Sequence, residues 1–168
     1  MKYCPQCATL LVPAHRHDRV RPGCPACGFV YYHNPLPIAA CVVEAAAGGL
    51  YLIRRRFAPG QGRWALPAGF IEHGEMPPAA AARETAEETG LLVQIGALGG
   101  VYGYIEAGGE RSGLVIAYEA VVIGGRAEAG DDAIEVRRFD RAALPFDALA
   151  FETHRAAVRD WLARRVGR

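Results

Sequence analysis

The sequence predicts an α+β domain over residues 35–168, carried behind a small head, residues 1–34, that is too short to fold on apolar burial alone. Three observations predict it. Two Cys-x-x-Cys pairs, Cys4-Pro-Gln-Cys7 and Cys24-Pro-Ala-Cys27, stand sixteen residues apart in the head. Beyond Pro35, β-branched apolar runs are separated by glycine-containing turns. Two glycine-free stretches, Pro77 to Thr89 and Glu152 to Arg165, have helical character.

The head comes first. Segments below about 40 residues usually need a metal or disulfides to hold them. The cysteine spacing falls inside the window of a four-cysteine zinc site. Two thiolates from each of two tight turns close a tetrahedron around Zn²⁺ and leave no position for water, so Cys4, Cys7, Cys24 and Cys27 are read as a structural site. The competing reading is two disulfides or four unrelated thiols. His15 and His17 lie in the long loop between the pairs, but four cysteines already complete a site. The paired knuckles resemble a zinc ribbon.

Pro35 and Pro37 mark the exit from the head. Ile38 to Glu44 reads as a buried strand, Gly48-Gly49 as a hairpin turn and Leu50 to Arg55 as the returning strand. Cys41, inside the first of these, reads as a small buried hydrophobe. Phe57 to Pro67 is loop-like. From Pro77 to Thr89 the chain is alanine-rich and charged, with Pro77 and Pro78 suited to a first helical turn and Gly90 to the position past the last. Leu91 to Tyr104, broken by glycines, Leu114 to Ile123 and Ile134 to Phe139 read as strands. The final helix takes its apolar stripe from Ala157, Val158, Trp161 and Leu162.

Composition narrows the function classes. Of 168 residues 51% are hydrophobic and 22% charged, which fits a folded domain rather than a disordered chain. A net charge of +1 supplies no electrostatic argument for a nucleic-acid or membrane partner. No segment has the ~20 continuous apolar residues that span a bilayer; the run Leu36 to Ala47 is short and interrupted by Glu44. The first residues lack the apolar stretch of a secretory signal. A soluble, cytoplasmic protein is therefore expected, in a reducing compartment where the cysteines stay thiols.

The chemistry is concentrated in Gly69-Phe-Ile-Glu-His-Gly-Glu75 and Arg83-Glu84-Thr-Ala-Glu87-Glu88-Thr-Gly90-Leu91. At ~100° per residue, Glu84, Glu87 and Glu88 share an arc of about 100° on one helix. Like charges at this spacing oppose the helix, and only Arg83 is placed to relieve Glu87 at i+4. Grouped hard oxygens suit Mg²⁺ or Mn²⁺, which also bring phosphates into a site. Ala79, Ala82 and Ala86 are expected to supply the helix's apolar side, letting it pack closely. A solvated face with charge pairs is the plainer reading of such a helix, but the preceding glycine loop and Trp64-Ala-Leu-Pro turn favour a site.

The spacing Gly69, five residues, Glu75, seven residues, Arg83 to Leu91 resembles the 23-residue box of the Nudix hydrolases, with every fixed position filled and Thr85 where an aliphatic is commoner. The resemblance implies an α/β/α sandwich with a mixed sheet. It also implies hydrolysis of a nucleoside diphosphate linked to another moiety, a small-molecule substrate, with catalytic Mg²⁺ or Mn²⁺. By position, Glu87 and Glu88 would hold metal with help from the Ala68 carbonyl. Glu84 would be a ligand or the base, and Arg83 would pair with Glu75 to hold the Gly69 loop on the helix. Glu135, in Asp132-Ala-Ile-Glu-Val-Arg-Arg-Phe139, looks like the further acidic ligand many members carry, although an exposed strand glutamate beside Arg137 and Arg138 would look the same. Glu106 and Glu110 are alternative bases. Arg54, Arg55, Arg56 and Arg111 are available to phosphates, and Trp64, Tyr102 and Tyr104 to a base ring. Of these, Arg54, Trp64, Tyr102 and Arg111 are the candidate substrate contacts.

Cys4 to Pro35 looks like the zinc ribbon of some Nudix proteins, and Leu144 to Phe151 is similar to ribbon-bearing members linked to FAD and ADP-ribose hydrolysis. The NADH-cleaving ribbon branch carries Ser-Gln-Pro-Trp-Pro-Phe-Pro after its box; here the chain reads Gly99-Gly-Val-Tyr-Gly-Tyr-Ile105, which favours FAD or ADP-ribose. Family members are often dimers, so the resemblance also raises a homodimer. The reading from another class is a zinc-ribbon module on a Nudix scaffold that binds nucleotides or nucleic acid without cutting. It has no need of the complete set of box carboxylates.

Overall fold

A computed structural model describes residues 1–106, 108, 109 and 111–166, with the side chain of residue 166 excepted. The chain divides into two compact units, Met1–Asn34 and Pro35–Arg168.

The first unit is built on two equivalent knuckles and a hairpin. In each knuckle the residue after the second cysteine turns left-handed, Ala8 at φ 56° and Gly28 at φ 76°. Its N–H then returns to the first cysteine's carbonyl, Ala8 to Cys4 at 2.9 Å and Gly28 to Cys24 at 3.1 Å. Between the knuckles β1 (Val12–Arg16) and β2 (Arg19–Gly23) pair antiparallel, with Arg16 opposite Arg19 and Ala14 opposite Arg21.

The second unit is a mixed sheet between two helices. Its strands are β3 (Leu36–Glu44), β4 (Leu50–Arg55), β5 (Trp64–Ala65), β6 (Ala68–Phe70), β7 (Leu91–Ile105), β8 (Ser112–Gly125) and β9 (Ala133–Phe139). The order is β5-β4-β3-β8-β7, with β6 added on β3 and β9 on β4. β3 and β8 run parallel from Leu36↔Gly113 to Glu44↔Val121, and the other pairings are antiparallel. Successive residues of β3 point to opposite faces. Ala40 and Val42 join one apolar cluster with Leu52, Val115, Ala117 and the Ala157, Val158 and Trp161 of α2 (Glu152–Val166). Ala39, Cys41 and Val43 join another with Ala80 and Ala81 of α1 (Pro77–Thr89). The alternation of one buried strand thus makes the three layers. Among the described residues no helix is long and apolar enough to cross a membrane.

Trp161, fully buried, anchors α2. Arg165 and Arg141 lie over its ring at 4.5 and 5.2 Å, and both guanidinium groups reach Glu44 of β3. Arg165 also meets Glu119 of β8 at 3.0 Å, so the C-terminal turn of α2 is tied to two central strands.

Two expectations are corrected. The stretch Phe57 to Pro67, read as loop, contains β5, and β6 follows at once; strands of two and three residues are too short to show a period. The buried face of α1 is also not the one expected. Ala79 is exposed and Ala82 and Ala86 are half-buried, while Ala80, Ala81, Thr85, Glu88 and Thr89 are buried. The helix is rotated so that a carboxylate faces inward. The hydroxyls of Thr85 and Thr89 are satisfied on their own helix, at the carbonyls of Ala81 and Thr85.

Candidate active site: a carboxylate helix over a glycine turn

Helix α1 starts at two prolines and ends at Gly90, whose left-handed φ of 67° lets its N–H return to Ala86 at 2.9 Å. Residues past β8 hold the same end, with the Glu128 N–H on the Thr89 carbonyl and the Gly130 N–H on that of Glu88. The helix end is therefore fixed before any ligand arrives.

Arg83 organises the acidic groups around it. Its Nε and Nη2 donate to the two oxygens of Glu75, both at 2.9 Å, and Nη2 also donates to the Phe70 carbonyl. Its Nη1 donates to Glu84 at 2.7 Å and Glu87 at 2.9 Å. One guanidinium thus joins the Gly69–Glu75 loop to two helix carboxylates. The bidentate pair holds the Glu75 carboxyl down at about 2.

The three helix glutamates stand in different surroundings. Glu87 is exposed. Glu84 is half-buried, and its carboxyl is pushed upward by burial against the pull of Arg83. It lies directly over Gly69, where a side-chain carbon would collide with all three carboxyl atoms. A methyl group there would have to displace the Glu84 carboxylate. Glu88 is 2% exposed and accepts the Ala68 N–H at 2.9 Å. Burial pushes its carboxyl up to about 8, with the charge of Glu84 adding and those of Ala68's N–H and Arg55 opposing. The Ala68 group seen at Glu88 is thus the amide, not the carbonyl. The oxygens of the three carboxylates do not all lie within 4.8 Å of one another; Arg83 draws Glu84 and Glu87 together, while Glu88 is turned to the Ala68 amide.

The other candidates are distributed as follows. Glu135 pairs with Arg54 at 3.7 Å and with Arg137, so the further acidic residue is engaged by two arginines of its own sheet. Arg54 also donates to the Gly62 carbonyl at 2.8 Å. Trp64 packs edge-on to Phe139 at 4.8 Å, with Arg137 over its ring at 5.2 Å. Tyr102 is not free to stack on a base: its ring packs against the α2-side core and its hydroxyl donates to Asp160 of α2 at 2.7 Å. Tyr104 packs on the same core, and Arg56 is spent on the Ala133 carbonyl. Arg111 and Glu106 are exposed at the β7–β8 turn, joined by a backbone bond of 2.9 Å. Glu110 lies outside the described residues.

His154 carries no sequence signal beyond its place on a helix, yet it is buried and its Nδ1 accepts the Leu66 N–H at 3.1 Å. That bond fixes the turn leading into Ala68 and Gly69. Burial, aided by Arg55, depresses its imidazole to about 3, so it stays neutral as the acceptor role requires. Arg55 lies over the Phe151 ring at 5.1 Å with its Nε on the Pro59 carbonyl, and its charge is felt at both Glu88 and His154.

In the first unit the four cysteines are free, and their sulfur atoms all lie within 4.8 Å of one another. The separations of 3.4, 3.5 and 3.6 Å are far beyond a disulfide's ~2.05 Å. Among the described residues this is the one group of metal-ligand atoms so gathered; the exposed His15 and His17 are not in it.

Comparison with known proteins agrees with this geometry. The NUDIX domain model matches residues 34–164. An ADP-ribose pyrophosphatase of Methanocaldococcus jannaschii is 39% identical over 118 residues, 70% of this chain and 68% of that protein. A NAD-capped RNA hydrolase, NudC, of Chromobacterium violaceum is 37% identical over 93 residues, 55% of this chain but 34% of its own length. A crystal structure of a NUDIX hydrolase from Nitrosomonas europaea superposes with a TM-score of 0.87 over 99% of this chain and 93% of that one, at 30% identity. With a sandwich of mixed sheet and two helices, a glycine turn under a carboxylate helix, and these matches, the chain belongs to the Nudix family of pyrophosphohydrolases.

Proposed function

We propose that the second unit hydrolyses the pyrophosphate of ADP-ribose or a close relative such as FAD, with Mg²⁺ or Mn²⁺ held by Glu84, Glu87 and Glu88. The observation that carries the reading is the position of Arg83 Nη1, a cationic donor between Glu84 and Glu87. It marks a point where two carboxylates converge on positive charge. Glu88, a buried carboxyl with an amide as its protein donor, is a third hard-oxygen donor on the same helix, of the kind a small divalent cation takes once it draws the carboxylates in. When bound, such an ion polarises a phosphoryl oxygen and lowers the pKa of water.

This chain's residues do the rest. Arg83 and Glu75 keep the Gly69 loop seated on α1, so the Glu84 carboxylate is held at one place against Gly69. Glu84 takes the proton as the water oxygen bonds to phosphorus. The bridging oxygen leaves with the bond's electron pair, giving a nucleotide and a phosphorylated remainder. Arg55, held by Phe151 and Pro59, meets the charge of the substrate phosphates. Glu135 is the further acidic ligand, reached once Arg54 and Arg137 turn to the substrate. The similarity to an ADP-ribose pyrophosphatase supports the choice of substrate. The first unit is a zinc ribbon: four free thiols at tetrahedral-edge separations suit Zn–S bonds of about 2.3 Å.

The test is phosphate released by added phosphatase from ADP-ribose, FAD, NADH and a diadenosine polyphosphate, with Mg²⁺ and with Mn²⁺. Turnover of ADP-ribose or FAD that disappears in Glu87→Gln, with an unchanged circular dichroism spectrum, is the expected result. Full activity in that variant would sink the assignment.

A further inference from the structure

The near-neutral charge of the whole chain conceals an uneven division. Residues 1–34 hold Lys2, Arg16, Arg19 and Arg21 against Asp18 alone, a net +3, which leaves the second unit at −2 of the chain's +1.

The hairpin gathers this charge on one side. Arg16 lies opposite Arg19, and Ala14 opposite Arg21, so the three arginines share one face of β1 and β2. Gly23 pairs with Val30 and the Tyr31 N–H reaches the Pro22 carbonyl, which brings the chain back alongside β2 with Tyr32 next to Arg21. The Arg21 guanidinium lies over the Tyr32 ring at 4.9 Å. Tyr32 is 51% exposed, and Arg16 and Arg19 are exposed.

Like charges directly opposite on a two-stranded ribbon destabilise it. Among the described residues none of these three arginines meets a carboxylate within 4.0 Å, whereas Arg54, Arg83, Arg137, Arg141 and Arg165 of the second unit all do. The buried Nε of Arg21 has no hydrogen-bond partner among the described residues. Three uncompensated guanidinium groups ending in an exposed aromatic ring form a track for phosphates with a stacking platform at one end. We infer that this face of the first unit binds single-stranded nucleic acid, independently of the hydrolytic site.

Fluorescence anisotropy of a 5′-fluorescein 12-mer, as oligo(U) and as oligo(dT), titrated with the full chain across 50–200 mM salt, tests this. Three phosphate contacts predict that log K falls against log salt with a slope near −2, from about −0.7 per contact on a single strand. The double variant Arg16→Ser/Arg19→Ser should flatten that slope by about 1.4. Tyr32→Ala should weaken binding roughly fivefold or more with the slope unchanged, because stacking releases no counterions. Both variants should keep their zinc and their turnover of ADP-ribose. Tighter binding of either sugar class supports the inference and identifies the class. No anisotropy change up to about 100 µM protein, the weak end of non-specific affinity, would overturn it. Equal binding by the Arg16/Arg19 variant, or by a duplex of the same length, would overturn it too. Glu87→Gln should bind the oligonucleotide normally, so the two readings fail separately.

Discussion

Gly69→Ala probes the site with one methyl group. Gly69 sits in β6 with a φ outside the left-handed region, so alanine carries no backbone strain there. The whole effect comes from the added carbon, which would fall inside the 3.0 Å limit that real side-chain carbons observe against every atom of the Glu84 carboxyl. The carboxylate must retreat by about 1 Å, and a misplacement of that size costs about 100-fold in turnover, some 2.7 kcal/mol of transition-state stabilisation. Overpacking of this kind costs about 1–3 kcal/mol of stability, which leaves a typical domain folded at 25 °C. The assay is phosphate release from ADP-ribose beside a thermal melt. Glu84→Asp, shortened by one methylene, makes room for the methyl; the double variant should lose less than the product of the single losses. A folded Gly69→Ala protein within about threefold of wild type would refute the reasoning, since threefold corresponds to only about 0.65 kcal/mol.

Three further outcomes follow from the packing. His154 is neutral in the fold, with its pKa depressed to about 3 from 6.5, so between those values the unfolded chain binds the extra proton and stability falls as pH drops. At pH 5 that loss is about 2 kcal/mol relative to pH 8, and urea midpoints should show a flatter pH profile for His154→Asn than for wild type. Wild type and variant running parallel would count against a buried neutral imidazole. Trp161→Ala empties the centre of the α2 core and should cost about 3–5 kcal/mol by denaturant titration. Metal analysis of chelator-free protein should find one zinc per chain, and Cys24→Ser should release it to a chromogenic chelator far faster than wild type.

The extent of α1 was legible in sequence, because paired prolines and a following glycine act locally on backbone torsions. The joining of Glu75 to Arg83 was legible only through the spacing of a known motif. Local pattern did not show which carboxylate turns inward. The apolar residues of α1 are almost all alanine and give no strong stripe, so the burial of Glu88 and the exposure of Glu87 depend on how β3, β6 and the 126–130 segment grip the helix. Arg54 and Arg55 are likewise equivalent in sequence. The register of β4 on β9, Arg54↔Glu135, commits one to its own sheet and leaves the other to act on Glu88.

By itself, then, the sequence determined what acts over a few bonds or one helical turn: the knuckles, the caps, the strand alternation, and the charges lined up on α1. Only the tertiary structure decided what depends on distant segments meeting. His154 bonds Leu66 across 88 residues, Tyr102 is taken by Asp160, and three arginines share a face because one hairpin has one register. Burial and electrostatics depend on neighbours in space, and a linear pattern carries no record of which neighbours those are.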